Sequence, residues 1–354
     1  NAKLRLHTAA EYVLAVREHG PKAPKTHLLI RGSAHAKGDL VEPHFPTILT
    51  DKKPNVQATE NTSGHRRALA EWLVQESPMT AKVMVNRIWQ YHFGRGIVRS
   101  TNDYGNLGDK PTHEELLHYL SVTFKEQGWS WKKMHKHIML SSTYQMSSQA
   151  DNKALQVDPQ NNLFWRFNMR RLTSEEVRDS ILAATGKLML NYGGPSVYPK
   201  ISDEVLKSQS KITWNTKVDK DPNHQYRRSV YTFTKRSLIL PVIESFDGAT
   251  TDTSCAVRFE TTTPTQSLSM INSDFINQAA EDFYQRLKKE AGDNETARIK
   301  LAWQLITASE ANPDEIKTAQ DFLTTFSKEN GNKDKAWQQF CLIMLNLNEF
   351  IYLD

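Results

Sequence analysis

The most constraining feature of the sequence is a helical stretch that is apolar on nearly every side and runs into a polar loop. It occupies residues 80–105, TAKVMVNRIWQYHFGRGIVRSTNDYG. A helix with so little polar surface is expected to be buried. Buried polar groups without hydrogen-bond partners cost roughly 1–3 kcal/mol each. Asn86, Arg87 and His92 must therefore find partners inside the protein or in a ligand.

Two interpretations of this stretch are open. In the first, Asn86 and Arg87 project into a pocket and hold an anionic or polyhydroxyl group, with Trp89 as a wall. In the second, Arg87 pairs with a buried carboxylate or with helix-end carbonyls and fixes the neighbouring loops. The first predicts a binding site and the second a structural anchor.

Charge and hydropathy exclude several classes of protein. The 354 residues include 45 Lys and Arg against 40 Asp and Glu, a net charge of +5 that is spread along the chain. A nucleic-acid binder would show a clustered basic surface, so we expect no nucleic-acid partner. No segment approaches the ~20 apolar residues that span a bilayer, so the chain is not expected to be transmembrane. It begins with Asn1 rather than Met, and we expect it to be part of a longer or processed product.

Capping residues and apolar periodicity predict mainly helices. Strand-like runs cover 25–31 and 228–234, while 32–64 and 192–225 are typical of extended loops. We expect a mainly α fold, a multi-helix globular array with a few short β-strands and long irregular loops. A leading segment and linker would cover 1–63, before a helical domain over 64–354. Helices are predicted over 1–20, 65–75, 81–93, 114–127, 131–140, 174–184, 264–271, 274–289, 295–308, 314–328 and 333–347.

The histidines and acidic residues do not form a recognised metal motif. His113 and His118 are five residues apart, whereas a zincin helix needs four. Asp219-x-Asp221-x-Asn223 begins like an EF-hand but lacks its later Gly and Glu, which leaves a looser calcium site or a solvated loop as alternatives. We expect no metal. Because the chain contains no C-x-x-C-H, no haem c is expected on the chain itself.

A second polar cluster follows residue 226. If 228–236 is a strand, Arg228 and Arg236 share one face and could bind carboxylate, sulfate or phosphate. The alternative is an internal network of arginines and carboxylates with Asp179, Glu244 or Asp247. The two cysteines, Cys255 and Cys341, could form a disulfide or be two buried thiols.

Several segments in a fixed order resemble one family. The sequence resembles the domain of unknown function 1553 (PSD1), which is abundant in Planctomycetes and related bacteria, from about residue 64 to the end. No catalytic residues are established for that family, so none is carried over. The segments are HRRALAEWL (65–73), TAKVMVNRIWQYHFGRGIV (80–98), PTHEELLHYL (111–120), GWSWKKMHKHIMLSSTYQMSS (128–148), DPQNNLFWRFNMRRLTSEEVRDSIL (158–182), YRRSVYTFTKRS (226–237) and FDGATTDTSCAVRFETTTPTQSLSMIN (246–272).

The resemblance implies a cellular context more than a reaction. Such domains usually close exported proteins, so a periplasmic or extracellular location is expected. A cytochrome c-like haem module and a domain of unknown function 1549 would lie upstream or on a separate chain, and a sulfatase-like protein of the domain of unknown function 1501 type is a further expected partner. The polar positions that match the family pattern and are our candidate ligand-binding residues are Asn86, Arg87, Trp89, His92, Arg95, Asn102, Asp103, Arg178, Asp179, Arg228, Arg236, Asp247 and Arg258.

Three functional hypotheses follow. The chain is an extracytoplasmic module that recognises or helps process sulfated polysaccharide together with other domains or partners. Alternatively, it is a structural docking module that organises a cytochrome c-containing redox assembly. A third hypothesis, a self-sufficient hydrolase using Asp103 or Asp247 as acid or base, has no spacing motif behind it. Whether the chain is an enzyme does not follow from these residues.

Overall fold

The structure is a computed structural model that describes residues 15–18, 20–207, 214 and 221–353. The chain divides into two units. Unit 1 comprises Asn1–Met146 and Asp151–Trp165, and unit 2 comprises Ser147–Ala150 and Arg166–Asp354. The division into a leading segment over 1–63 and a helical domain over 64–354 stays a prediction. The helix predicted over 1–20 falls largely outside the described residues.

Unit 1 begins with a β-hairpin and continues as helices. The first strand falls within the strand-like run predicted over 25–31, whereas the second, KGDLV, falls within 32–64, which the sequence predicts to be an extended loop. The strands are antiparallel, with Thr26 opposite Val41 and His27 opposite Leu40. The elements are β1 (Thr26–Leu29), β2 (Lys37–Val41), α1 (His65–Gln75), α2 (Pro78–Phe93), α3 (Glu114–Glu126), α4 (Trp131–Met139) and α5 (Asn152–Val157).

Helix α2 is the buried centre of unit 1. It begins three residues earlier than the sequence predicts, because the Ser77 side chain accepts a hydrogen bond from the Met79 amide and Pro78 occupies the first turn. Its apolar face packs against α3 and α4. The fully buried side chains there include Val85, Ile88, Phe124, Met134 and Ile138. This confirms that the apolar stretch is a core helix.

In its described residues, unit 2 is helical with one short strand pair. That pair joins the residues before α6 to residues near 352, with Arg171 opposite Tyr352. The elements are β3 (Arg170–Arg171), α6 (Ser174–Ala184), α7 (Asp203–Lys207), α8 (Pro241–Ser245), α9 (Pro264–Asn272), α10 (Asp274–Ala291), α11 (Glu295–Thr307), α12 (Pro313–Asn330), α13 (Lys333–Leu345), α14 (Asn348–Ile351) and β4 (Tyr352–Leu353).

The core of unit 2 lies between its four long helices. Helices α10, α11, α12 and α13 pack on one another. Trp337 and Leu287 are fully buried at this junction, together with Phe283 and Ile299. Aromatic and aliphatic side chains of this size each contribute about 1.5–3 kcal/mol on burial, so this junction supplies much of the stability of unit 2.

The predicted strand over 228–234 is wrong. Ser229–Tyr231 forms a short 3-10 helix, and Thr232 makes an isolated parallel bridge with Val197. The alternating pattern of RSVYTFT is overridden by tertiary contacts, because buried Arg178 takes up the carbonyl of Arg227 that a strand would have offered to a neighbour. The shared cationic face of Arg228 and Arg236 therefore does not exist.

The mainly α class is confirmed, since the described residues hold fourteen α-helices and four strands of two to five residues. None of the described helices combines the length and the apolar character that crossing a membrane would require.

Candidate functional site

In unit 1, Asn86 acts as a clamp for the loop after α2. Its Nδ2 donates to the Val98 carbonyl at 2.9 Å, and its Oδ1 accepts from the Val98 amide at 2.8 Å. The side chain is fully buried. Both polar atoms of Asn86 thus bond to the backbone of this protein, and the side chain is closed to solvent.

Arg87 and the polar loop lie next to this clamp. Nη2 of Arg87 donates to Oδ1 of Asn102 at 3.0 Å. Asp103 turns its carboxylate back on its own loop, where Oδ1 accepts from the Gly105 amide at 2.8 Å. Burial raises the pKa of the nearby Tyr104 hydroxyl. Arg87 therefore anchors the loop through an amide, without the buried carboxylate that one interpretation invokes.

Trp89 and His92 belong to an aromatic cluster. Trp89 is buried and stacks on Phe93, so it does not form the wall of an open pocket. Nε2 of His92 lies 2.8 Å from Nδ1 of His135, and its ring also meets Tyr144 edge to face. One imidazole donates to the other in this pair. The cluster fixes α2 against α4.

Arg95 holds a different loop. Its Nη1 donates to the Gln160 carbonyl at 3.2 Å and to Oδ1 of Asn162 at 3.0 Å, and its Nη2 donates to the Asn161 carbonyl at 2.5 Å. Its guanidinium also lies over the Phe164 ring, 5.2 Å from the centroid. Arg95 is therefore a loop anchor with a net positive charge.

In unit 2, α6 carries the densest charged surface, and Arg178 is its buried member. Its Nη1 donates to the Arg227 carbonyl at 3.0 Å and to Oγ of Ser229 at 3.1 Å. Its Nη2 donates to the Gln225 carbonyl at 2.6 Å. Burial lowers the pKa of Arg178 to about 10, although the neighbouring Asp179 opposes the shift. Arg178 thus fixes the segment over 225–229 onto α6.

Asp179 holds the same segment from the next position. Its Oδ1 accepts from the Ser229 amide at 2.8 Å and from Oγ of Ser229 at 2.7 Å. Its Oδ2 lies 3.8 Å from Nε of Arg228. The Arg228 guanidinium is half exposed and makes no hydrogen bond with another described residue. The sequence candidates Arg178, Asp179 and Arg228 are therefore brought together.

Two further carboxylates on α6 are each paired with an arginine. Arg258 donates to both oxygens of Glu175, and Arg170 donates to both oxygens of Glu176. Burial alone would raise the pKa of Glu175, but hydrogen bonds from Arg258 and Ser174 outweigh it and hold that pKa below its ordinary value. The pKa of Glu176 is lowered in the same way by Arg170 and by the capping box at Thr173. Paired guanidinium and carboxylate groups of this geometry are strong and neutral overall.

Four of the charged residues, Glu175, Glu176, Asp179 and Arg228, border a cleft of about 740 Å³ in unit 2. Its lining is rich in hydroxyl groups, and Oγ1 of Thr232 is buried there without a hydrogen-bond partner among the described residues. A buried hydroxyl of that kind is ordinarily satisfied by water or by a ligand. The lining consists of Leu172, Glu175, Glu176, Asp179, Ser180, Ala183, Leu188, Arg228, Ser229, Val230, Thr232 and Thr234.

A second polar centre of unit 2 surrounds Asp247. Its Oδ2 accepts from Nη2 of Arg171 at 2.7 Å and from the Thr261 amide at 2.9 Å. Gln266 adds a longer bond from its Nε2 at 3.4 Å. Burial would raise the pKa of Asp247, but these partners hold it below its ordinary value. These partners stabilise the ionised form of Asp247 and fix the loop that carries Thr261.

Glu260 lies beside this centre and behaves in the opposite way. Burial raises its pKa, and the carboxylates of Glu176 and Asp247 add to that rise against the attraction of Arg170 and Arg171. Its carboxyl group makes no hydrogen bond or ion pair with a described residue. Perturbed carboxyl groups of this kind mark candidate functional positions.

The other candidates lie apart from the cleft. Arg236 pairs with Asp252 on the surface. Cys341 is fully buried in α13 and Cys255 is exposed. The two thiols are free, so the structure contains neither a disulfide between them nor a pair of buried thiols. Packing of α13 into the core separates Cys341 from the surface loop that carries Cys255.

No group of three or more His, Cys, Asp or Glu side chains within the described residues is arranged to hold a metal ion. Asp219, the first residue of the calcium-like loop, lies outside those residues. Asp221 accepts from the Asn223 amide at 2.8 Å, which caps a short 3-10 helix. The calcium alternative is therefore untested at its first position.

Sequence reasoning missed several residues of the cleft. Glu175 and Glu176 belong only to the helix predicted over 174–184, and Thr232 and Thr234 only to the strand predicted over 228–234. A signal was present for the carboxylates, since two acidic residues in a first turn near many arginines predict ion pairs. The hydroxyl groups carry no comparable signal.

Comparison with curated proteins and with solved structures gave no match. A family model described as "Protein of unknown function (DUF1553)" matches residues 65–323. That match covers most of the chain, including α1 to α11 and all the groups that border the cleft. The chain therefore belongs to the PSD1 family.

Proposed function

We propose that this chain is an accessory domain that recognises an anionic, sulfated polysaccharide through the cleft beside α6, and that it acts together with other domains or partners. The single observation that carries the proposal is that the Arg228 guanidinium has unused hydrogen-bond donors at the edge of the cleft. This guanidinium borders the cleft, is half exposed, and approaches Asp179 only to 3.8 Å. An arginine with unused planar donors suits a sulfate or carboxylate group.

The charges around the cleft favour an anion despite the acidic residues. Glu175 is neutralised by Arg258 and Glu176 by Arg170, each through two bonds. Asp179 faces two guanidinium groups, those of Arg178 at 3.6 Å and Arg228 at 3.8 Å. The sum over these groups leaves one positive charge, and Arg228 is the one exposed to solvent.

The remaining polar lining suits a sugar. Ser180, Thr232 and Thr234, whose side chains carry hydroxyl groups, are among the residues that line the cleft. Oγ1 of Thr232 lacks a partner among the described residues, so a ligand hydroxyl would replace an unsatisfied group with a hydrogen bond. Clefts that bind polar ligands commonly combine a few such groups with apolar walls, here Leu172 and Leu188.

The test compares a sulfated oligosaccharide with its desulfated form by calorimetry. Arg228→Ala is expected to weaken binding of the sulfated form about tenfold, because a charge-assisted contact contributes ~1.5 kcal/mol or more. Arg236→Ala is the matched control, since it removes an exposed arginine that pairs with Asp252 outside the cleft lining. Equal binding by the two variants, or no binding by the unmodified chain, contradicts the proposal.

The cellular setting is part of the same proposal. Membership of the PSD1 family supports an exported protein, periplasmic or extracellular, with cytochrome c-like and 1549-type domains upstream or on a partner chain. Any haem c would lie on those domains. A sulfatase-like partner would act on the same sulfated substrate. Fractionation of the source cells tests the location, and recovery in the cytoplasmic fraction contradicts it.

A second candidate function, a docking module for a cytochrome-bearing redox assembly, is favoured by exposed apolar surface on unit 1. In the hairpin, Leu28 is 64% exposed and Ile30 is 55% exposed. Leu40 of β2 and Leu69 of α1 are exposed as well. Isolated two-stranded hairpins are only marginally stable in water, so such a surface suits cover by another domain.

Co-purification tests this second function. The double substitution Leu28→Ser with Leu40→Ser is expected to abolish capture of the haem-bearing partner. Leu107→Ser, at a loop residue that is 97% exposed, is the control and leaves capture unchanged. If the doubly substituted chain still captures the haem-bearing partner, the hairpin is not part of the interface.

A further inference from the structure

Two arginines of unit 1 share one neutral acceptor. Nη1 of Arg95 and Nη2 of Arg99 both donate to Oδ1 of Asn162, each at 3.0 Å. The two nitrogens are therefore at most about 6 Å apart. Like charges held at that separation repel each other, and an amide oxygen does not neutralise either of them.

No carboxylate within the described residues pairs with either guanidinium within 4 Å. The acidic group that attracts Arg95 is Asp158, whose Oδ2 already accepts from the Leu163 amide at 2.8 Å. Burial lowers the pKa of Arg95, and repulsion from Arg99 adds to that shift against the attraction of Asp158. The cluster thus has two positive charges and one partly committed negative charge.

The arrangement is rigid on one side and accessible on the other. Arg95 is fixed by the Gln160 and Asn161 carbonyls and by the Phe164 ring, and its Nε is buried without a partner among the described residues. Arg99 is exposed, and its Nε and Nη1 make no hydrogen bond with a described residue. Arg99 therefore offers unused donors beside a second charge that cannot move away.

We propose that Arg95, Arg99 and Asn162 form a binding site for a tetrahedral oxyanion, either sulfate or phosphate. Asn162 holds the two guanidinium groups at a spacing that one such anion can bridge. Arg99 supplies the direct bonds, and Arg95 supplies a fixed charge that the anion compensates. The site lies in unit 1 and does not rest on the cleft beside α6.

The test titrates inorganic sulfate and phosphate separately, at constant ionic strength set with chloride, into the chain carrying Arg228→Ala. That background removes the cleft arginine, so binding that remains reports on the new site. Saturable binding of sulfate or of phosphate supports the proposal, and the tighter of the two identifies the anion. A response equal to that of chloride overturns it.

Substitutions in that background locate the anion. Arg99→Gln is expected to weaken binding about tenfold, and Arg99→Lys to weaken it less because the charge remains. Arg66→Gln is the matched control, since Arg66 is an exposed arginine on α1 that forms no ion pair with a described residue. Arg99→Gln that binds as tightly as Arg66→Gln overturns the proposal.

Discussion

Asn86 and Val98 are joined by two hydrogen bonds that run in opposite directions between one side chain and one residue's backbone. Asn86→Ala removes the side-chain amide. The buried backbone N–H and C=O groups of Val98 then have lost their hydrogen-bond partner. We expect the free energy of unfolding to fall by about 2–4 kcal/mol, as measured by urea denaturation.

The control for that substitution is Asn102→Ala. Asn102 is exposed and bonds to Arg87 alone in the described part, so we expect a change within about 0.5 kcal/mol. Equal losses in the two variants would mean that the clamp does not stabilise the loop.

Gly96 lies inside the same clamp. A Cβ at this position would lie 2.5 Å from the Val98 carbonyl oxygen and 2.7 Å from Nδ2 of Asn86. Gly96→Ala is therefore expected to lower the free energy of unfolding by about 2 kcal/mol or more, because backbone must move.

Gly94→Ala is the comparison for Gly96. Gly94 has a φ of +73° and nothing within 4 Å of its Cβ position, so only backbone strain of about 1 kcal/mol is expected. Thermal denaturation of both variants ranks them. If Gly94→Ala lowers the melting temperature more than Gly96→Ala does, the loop at Gly96 can shift to relieve the close contact, and this prediction is wrong.

Asp247 compensates a buried charge. The Arg171 side chain is 4% exposed, and Asp247→Ala leaves it without its carboxylate. We expect the free energy of unfolding to fall by about 3–5 kcal/mol. Asp247→Asn should cost less, since Asn keeps an acceptor and tolerates the left-handed φ of 59°.

The pH dependence of the same residue has a defined sign. The pKa of Asp247 is lowered in the folded state, so its contribution is present above the ordinary value of 3.8 and is lost as pH falls through the folded pKa. Denaturation midpoints measured below pH 4 should therefore fall less steeply in Asp247→Asn than in the unmodified chain. Parallel pH profiles would contradict this assignment.

Glu260 is expected to change the pH dependence of stability in the direction opposite to that of Asp247. Its pKa is raised above 4.5 by burial first and by neighbouring carboxylates second, so its favourable contribution is complete below pH 4.5 and is lost as pH rises through the folded pKa. Glu260→Gln cannot ionise. It should be more stable than the unmodified chain at pH 7 and indistinguishable from it at pH 4, as measured by thermal denaturation.

Glu244→Gln is the control for that experiment. Glu244 is an exposed carboxylate of α8 that forms no ion pair with a described residue. A gain at pH 7 that Glu244→Gln reproduces would assign the effect to net charge rather than to the surroundings of Glu260.

Local signals account for the parts of the fold that the sequence predicts well. Helices α1 and α6 have the bounds that the sequence predicts, and a capping box of Thr173 and Glu176 begins α6. The start of α2 was misplaced because Thr80 resembles an N-cap as closely as Ser77 does. Caps depend on neighbours within one turn, so a single sequence contains most of the information that sets them.

Long-range contacts explain why the strand predicted over 228–234 is wrong. The alternating residues after Arg228 would form a strand in another setting, but Arg178 on α6 binds the carbonyl of Arg227, 49 residues away. The partners of Arg95 and Arg178 are largely backbone carbonyls, which every residue possesses. The sequence therefore predicts which residues are polar and buried, while the fold decides which of them, such as Arg228, remain available.

The pairing of β3 with β4 has a consequence for the order of folding during synthesis. The Leu172 amide bonds to the Ile351 carbonyl at 2.8 Å, so the segment that leads into α6 is completed by residues made about 180 positions later. Unit 1 contains no residue beyond 165, and its clamp at Val98 can close while the ribosome is still translating. Strand β3, which leads into α6, has to wait for its partner strand until residues 352 and 353 have left the ribosome.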